Sequence, residues 1–335
     1  MKILISCPRG RTFDSFFTSE NIRLAESLGE VVYNPYARNM TSSEAAELMA
    51  GCQAYVTCWG APMLDTEMLE TAPTLRLLTH LGGTPQPFMS REAWRAGIKV
   101  ISGQAYYSAS VAEGVVAYIL SALRNIPEYS YRLKYNREWK HAWDTNRGLV
   151  GKKVGIVNYN DISAALAKYL TVFGVELYIS DDRVIPNREC ARLRMTQIPM
   201  NNIFRDCDII CVQTPVSEQD GYMIDHEQLC LIRDGALLVN TSRGGIIRQS
   251  ALINALSVGR FGAVLDVFER EPLSEAFCVE EDLAMFSLPN VILMPHMAGP
   301  TGDLRRIIAR ELLLESYEYI HNGIRPPHTV KRSKT

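Results

Sequence analysis

Residues 151–182 read GKKVGIVNYNDISAALAKYLTVFGVELYISDD, and the fold follows from how this stretch divides. Positions 153–157 form a short β-branched apolar run, 164–173 carry apolar residues at helical spacing, and 175–179 form a second run after Gly174. Strand, tight turn, helix and strand make one parallel βαβ unit. In units of this kind that bind dinucleotides, the first turn reads G-x-G-x-x-G and an acid about 20 residues later takes the ribose hydroxyls. Asp181 supplies the acid, whereas Asn158, Asn160 and Ser163 stand in the three glycine places. The architecture is that of a nicotinamide-cofactor domain with its phosphate turn rewritten.

The departures have physical consequences. Asn tolerates positive φ, so the turn itself is expected to survive. A side chain at Asn160 takes up space through which the backbone would approach a pyrophosphate. Asp161 opens the helix, where a carboxylate caps the helix end and repels phosphate. Asn160, Asp161 and Ile162 are therefore candidate cofactor contacts, with weakened dinucleotide binding expected. Asp181, with Asp182 beside it, suits free ribose hydroxyls and repels a 2′-phosphate, which favours NAD over NADP.

Outward from this unit, 335 residues exceed one ordinary core, and 47% hydrophobic residues supply two. A formal charge of −2 marks neither a general nucleic-acid binder nor an anionic-membrane binder. The eight cysteines show no C-x-x-C pair and no metal spacing, which reads as reduced thiols and no metal site. The opening MKILIS leads straight into a strand without a signal-peptide pattern, and no apolar run is read as a membrane span. These features place the protein in the cytoplasm.

Residues 1–102 repeat short strands (2–5, 31–33, 54–57, 75–79, 99–101) with amphipathic segments between them, which predicts a parallel sheet covered on both faces. Residues 108–124 read as a buried crossing helix at the domain boundary. Trp139 and Trp143 fall in a charged segment without strand signal, packed either on another subunit or on its own domain. After residue 182 further strands (208–212, 236–240, 263–265, 291–294) end at Thr214-Pro215, Thr241-Ser242-Arg243, Asp266 and Pro295-His296. Ligands of open α/β sheets sit outside these carboxyl ends. A long helix over 303–320 is followed by a basic, proline-bearing tail that reads as disordered.

Arg243, Glu271 and His296 belong together chemically. Arginine offers a planar fork for a carboxylate, and histidine moves a proton near neutral pH with a carboxylate fixing its tautomer. Those parts serve hydride transfer to or from a carbon that bears an oxygen next to a carboxylate. Each also has a structural reading: His296 as a hydrogen-bonder, Arg243 as a loop cap, Glu271 as surface charge.

The segments GALLVNTSRGGIIRQSALINALSVGRFGAVLDVFEREPL and LPNVILMPHMAGPT closely resemble the D-isomer-specific 2-hydroxyacid dehydrogenase family. LVGKKVGIV, FGVELYISDD, TPVSEQDGYMID and SASVAEGVVAYILSALRNIP extend the likeness over about residues 75–305. The resemblance implies two doubly wound parallel-sheet α/β domains. A Rossmann NAD-binding domain (104–296) is inserted in a flavodoxin-like substrate domain made of 1–103 and a returning C-terminal helix and tail (297–335). It implies Arg243 as substrate-binding arginine, Glu271 as histidine partner and His296 as acid/base, with amides around Leu81, Gly82 and Gly83 holding a small substrate carboxylate. Thr214, Pro215, Thr241, Ser242, Asp266 and Gly299 match positions near the nicotinamide side, and a homodimer through the cofactor domain is implied. The expected function is an NAD-dependent oxidoreductase acting on the CH-OH of a small 2-hydroxy acid. The rewritten turn motivates an alternative, a catalytically silent relative serving as ligand sensor or partner-binding scaffold.

Overall fold

Each apolar run picked out above becomes a strand parallel to its neighbours, and parallel neighbours require a crossover, which helices supply. In the computed structural model, residues 1–140, 146–214, 221–271, 283–299 and 301–330 are described. They form two units, one of Met1–Tyr107 with Pro300–Thr335 and one of Ser108–Gly299. The sequence reading drew the boundaries at 103/104 and 296/297.

The first unit holds β1 (Lys2–Ile5), β2 (Glu30–Tyr33), β3 (Ala54–Thr57), β4 (Leu77–His80) and β5 (Lys99–Ser102) in the order β2-β1-β3-β4-β5. This is the flavodoxin-type doubly wound order. Alternation along the strands feeds two cores. Ile3, Ile5, Val56, Leu77 and Ile101 face Ile308, Leu312 and Leu313 of the C-terminal helix Gly302–Asn322. Leu4, Tyr55, Leu78 and Val100 face Ala45, Met49 and Met68 on the other side. Helix starts follow local chemistry: Thr18, Thr41, Asp65 and Ser90 each accept a backbone N–H as N-cap, Thr41 in a capping box with Glu44.

The second unit holds β6 (Lys153–Val157), β7 (Glu176–Ser180), β8 (Met195–Gln197), β9 (Ile209–Val212), β10 (Leu237–Asn240), β11 (Gly262–Leu265) and β12 (Val291–Leu293). Their order is β12-β11-β10-β9-β6-β7-β8, all parallel, so the chain starts centrally and reverses direction at the crevice between β6 and β9. That is the Rossmann switch point.

Three expectations need correction. β8 was not anticipated, because three residues with only Met195 buried leave no run to read. The tail is ordered through residue 330: Val330 donates to Val100 O (2.8 Å), Ser102 to His328 O (3.3 Å), and Thr329 bridges Ile101 antiparallel. Lastly, one helix among the described residues, Gln104–Leu123, is long and apolar enough to cross a membrane. Its Ala112, Val115, Ile119 and Leu123 are buried in the core of the second unit, whose needs explain that apolarity. Residues 126–136, without strand signal, form the short helical turns Ile126–Tyr131 and Arg132–Asn136.

Candidate active site

The turn after β6 keeps its course. Asn158 adopts φ 75°, a left-handed conformation that Asn takes more readily than most residues. Asn160, not Asp161, caps the following helix Asp161–Leu170: its Oδ1 accepts from Ser163 N at 3.0 Å. Asp161 occupies the first helical position, which corrects its expected role as cap. The Asn160 amide also donates Nδ2–H to Gln213 O (2.6 Å), and Gln213 Nε2 donates to Thr241 Oγ1 (2.8 Å). A chain of hydrogen bonds thus ties the ends of β6, β9 and β10 together. Buried Ser163 donates to Asn158 O (2.6 Å), which accounts for a hydroxyl where the motif has glycine.

Asp181 follows β7 with its side chain 3% exposed. Its Oδ2 accepts from Tyr159 N (2.9 Å), and its Oδ1 from Arg183 N (2.9 Å) and Nε (3.0 Å). Burial works to raise its pKa, but the Arg183 guanidinium and the two amides outweigh it and hold the carboxyl below its usual range. At the end of β9, Gln213 Oε1 and Thr214 Oγ1 are buried without a hydrogen-bond partner among the described residues. Buried polar atoms without partners are rare and point to a missing ligand group. Pro215 lies outside the described residues.

Beyond β10, Ser242 N and Oγ both donate to Asn240 Oδ1, and Arg243 Nη1 donates to Ser242 O (2.7 Å) with its side chain otherwise exposed. Gly244 is required by close approach, since a Cβ there would lie 1.8 Å from the Phe268 carbonyl. The contact brings the Arg243 turn against the segment after β11 that carries Glu271. Asp266, expected beside the cofactor, is 1% exposed and accepts from Met297 N (2.8 Å), Ala298 N (3.0 Å) and Tyr118 OH (3.0 Å). Burial first, then the Asp266 charge, pushes the Tyr118 phenol well above its usual range, so it remains a donor. His296 N donates to Asp266 O (2.9 Å) and the residue sits at φ 55°, so Asp266 fixes the loop that presents the imidazole. His296 Nδ1 lies 2.8 Å from Glu271 Oε2, with both side chains partly open to solvent. Gly299 O accepts from Ser110 Oγ (2.7 Å), and a Cβ on Gly299 would meet Val111 at 2.8 Å, so this glycine serves packing.

In the first unit, Leu81 N donates to Thr57 O (2.8 Å) and extends the sheet, so this amide is engaged within the protein. Gly82 and Gly83 donate to no described residue. Two successive amides without described partners, Gly82 buried and Gly83 half-buried, are donors still available at the end of β4. Sequence reasoning missed His80, Gln213 and Tyr118. His80 is buried, lies 3.0 Å from Thr57 Oγ1 through Nδ1, and stacks on Phe88 at 4.4 Å. A Cβ on Gly82 would fall 2.4 Å from His80 Nε2. The signal for His80 and Gln213 was their position at the end of a strand or one residue past it; Tyr118, inside the helix Gln104–Leu123, offered none.

At one end the orphaned Gln213 and Thr214 oxygens fit a nicotinamide dinucleotide. At the other, Asp181 is held by Tyr159 N and Arg183 and would have to give up these partners to meet a ribose, and Asn160 puts a side chain where the dinucleotide turn has none.

A sequence model of the D-isomer specific 2-hydroxyacid dehydrogenase NAD binding domain matches residues 116–298. The glyoxylate reductase of Korarchaeum cryptofilum is 31% identical over 293 residues, covering 85% of each chain. The hydroxypyruvate reductase of Thermotoga maritima is 27% identical over 254 residues, covering 76% of this chain and 80% of the relative. A phosphoglycerate oxidoreductase from Rhizobium etli shares the fold with a TM-score of 0.80 at 22% identity over the full length of both chains.

Proposed function

The chain belongs to the D-isomer specific 2-hydroxyacid dehydrogenase family, NAD-dependent oxidoreductases of 2-hydroxy acids, and from that premise we propose that it interconverts a small 2-keto acid and its 2-hydroxy acid with His296 moving the proton. The observation that carries the assignment is the 2.8 Å contact of His296 Nδ1 with Glu271 Oε2. With Nδ1 held by the carboxylate, Nε2 is the ring atom left for chemistry. In reduction Nε2–H gives its proton to the keto oxygen; in oxidation Nε2 takes the hydroxyl proton. Bound NAD supplies the hydride carrier. In the second unit Arg243 offers its fork to a substrate carboxylate. In the first unit the Gly82 and Gly83 amides remain available to donate to an anionic oxygen. Asp181, Thr214, Thr241 and Ser242 are assigned to the cofactor, and the opening of the helix at Asp161 and Ile162 faces its phosphates.

The names of the relatives suggest glyoxylate and hydroxypyruvate as the first substrates to try. Keto-acid-dependent NADH oxidation is expected, falling by roughly 10²–10⁴ in kcat in His296→Ala. Full activity in that variant, or no oxidation with any 2-keto acid, would sink the assignment. The silent-scaffold alternative rests on the turn alone and gains no support from the relatives.

We further infer a homodimer joined through the second unit. Ile126, Tyr131, Leu133, Tyr135 and Trp139 are all exposed within 14 residues, a density of apolar surface that favours association. A cytoplasmic home suits the seven described cysteines, none in a disulfide.

A further inference from the structure

The first unit carries polar groups that the reaction so far leaves unused. Arg305, in the first turn of the helix Gly302–Asn322, has no carboxylate partner among the described residues. Its guanidinium lies 5.3 Å from the ring centre of Trp59 and 5.8 Å from that of Phe16. Its Nη1 donates a long hydrogen bond to Ser15 Oγ (3.4 Å), and the guanidinium also lies close enough to the Tyr107 hydroxyl to act on it as a donor. Among the described residues the Arg305 Nε has no hydrogen-bond partner and the Tyr107 hydroxyl has no acceptor for its proton, and both atoms are buried. Trp59 and Tyr107 are in edge contact at 6.2 Å, and the Tyr107 ring is the nearest neighbour of Gly83, 4.0 Å from where a Cβ would stand.

These observations converge on an acceptor. A guanidinium N–H can only donate, and burial pushes the Tyr107 phenol up to about 12 against the opposing pull of Arg305, so its hydroxyl keeps its proton and donates too. Buried donors without acceptors are rare in native proteins. A guanidinium left unpaired on two aromatic faces is a poor resting state unless an anion arrives. The cluster contributes a single positive charge, which matches one carboxylate better than a phosphate dianion. The Tyr107 ring borders Gly83, which puts the cluster on the side of the Gly82 and Gly83 amides.

We propose that Arg305 and Tyr107 form a distal carboxylate subsite, and that the substrate is a dicarboxylic 2-keto acid whose far carboxylate they bind while its near carboxylate lies at Gly82 and Gly83. The proposal rests on the 2-keto acid reading of the same site and narrows its substrate class.

The test pairs acids of equal length, 2-oxoglutarate with 2-oxopentanoate and oxaloacetate with 2-oxobutanoate. NADH-dependent kcat/KM is measured for the wild type, Arg305→Met, Arg305→Lys and Tyr107→Phe. In the wild type the dicarboxylate of at least one pair is preferred. Arg305→Met lowers the preference by roughly hundredfold, as expected for a desolvated charge-assisted pair, and Arg305→Lys restores part of it. Tyr107→Phe lowers it by roughly tenfold, a neutral donor being weaker. A 3-phosphooxy 2-keto acid run in parallel decides the anion: preference for it over both dicarboxylates overturns the carboxylate assignment. Thermal shift without cofactor gives a readout independent of turnover, the dicarboxylate protecting the wild type and not Arg305→Met. Equal preference ratios in wild type and Arg305→Met, with NADH oxidation intact, overturn the subsite. Selective protection without NADH oxidation by any acid overturns the dehydrogenase reading instead and leaves the subsite standing.

Discussion

Asn160 shows how one side chain can redirect a motif. It supplies the helix cap, reaches Gln213 O, and stands where a dinucleotide turn ordinarily has no side chain. Asn160→Gly is expected to cost only a few tenths of a kcal/mol in capping, while opening the backbone to a pyrophosphate. NADH should bind several-fold tighter by calorimetric titration, and tighter again when Asp161→Arg removes a like charge; unchanged or weaker binding would refute this account of the turn. Arg243→Lys is expected to lose at least tenfold in kcat/KM for the keto acid, because a point charge cannot reproduce a planar fork. Wild-type kinetics in that variant would remove Arg243 from the substrate site. The three replaced glycine places and Asp181 were legible because they lie close together in sequence. That Asn160 rather than Asp161 turns toward the helix end was not: both are good caps, and only the reach to Gln213, 53 residues away, decides between them. The engagement of Asp181 with Arg183 was hidden for a similar reason, since spacing does not record which way a carboxylate faces.

Among elements, the approach of the β10 turn to the segment after β11 matters most for the chemistry. Gly244 allows it, and Gly244→Ala would set a Cβ against the Phe268 backbone, which has no flexible end to yield. Overpacking of this kind costs about 1–3 kcal/mol. The expected result is a lower Tm together with a fall in kcat/KM, because Arg243 and the Glu271 segment are pushed apart; a variant with wild-type Tm and kinetics would show that the contact is not needed. Apart from β8, the strands were readable since each is a short apolar run ending in polar residues, as buried parallel strands must be. The tail was not, because its pairing with β5 uses main-chain groups of 328–330 that carry no side-chain pattern.

For the whole molecule, the two units have separate cores, so a perturbation in one need not be felt by the other. His80 offers a way to address the first unit alone. Burial lowers its pKa from 6.5 to about 4, so below pH 6.5 the unfolded chain takes up a proton that the folded unit refuses. The stability linked to neutral His80 is therefore complete above pH 6.5 and is lost as the pH falls toward 4, by roughly 3 kcal/mol at the limit. Thermal unfolding between pH 7 and 4.5 should show this loss in the wild type and a shallower one in His80→Gln; parallel curves would exclude His80 as the source.

The pairing of residues 328–330 with β5 has a consequence for handling the protein. β5 is the outermost strand of its sheet, and without the returning tail the hydrogen-bonding groups of Val100 and Ser102 would stand open beside the apolar Ile101. Such a border recruits strands from other molecules. Clipping the chain just after the helix Gly302–Asn322 should therefore leave a protein that aggregates with rising concentration.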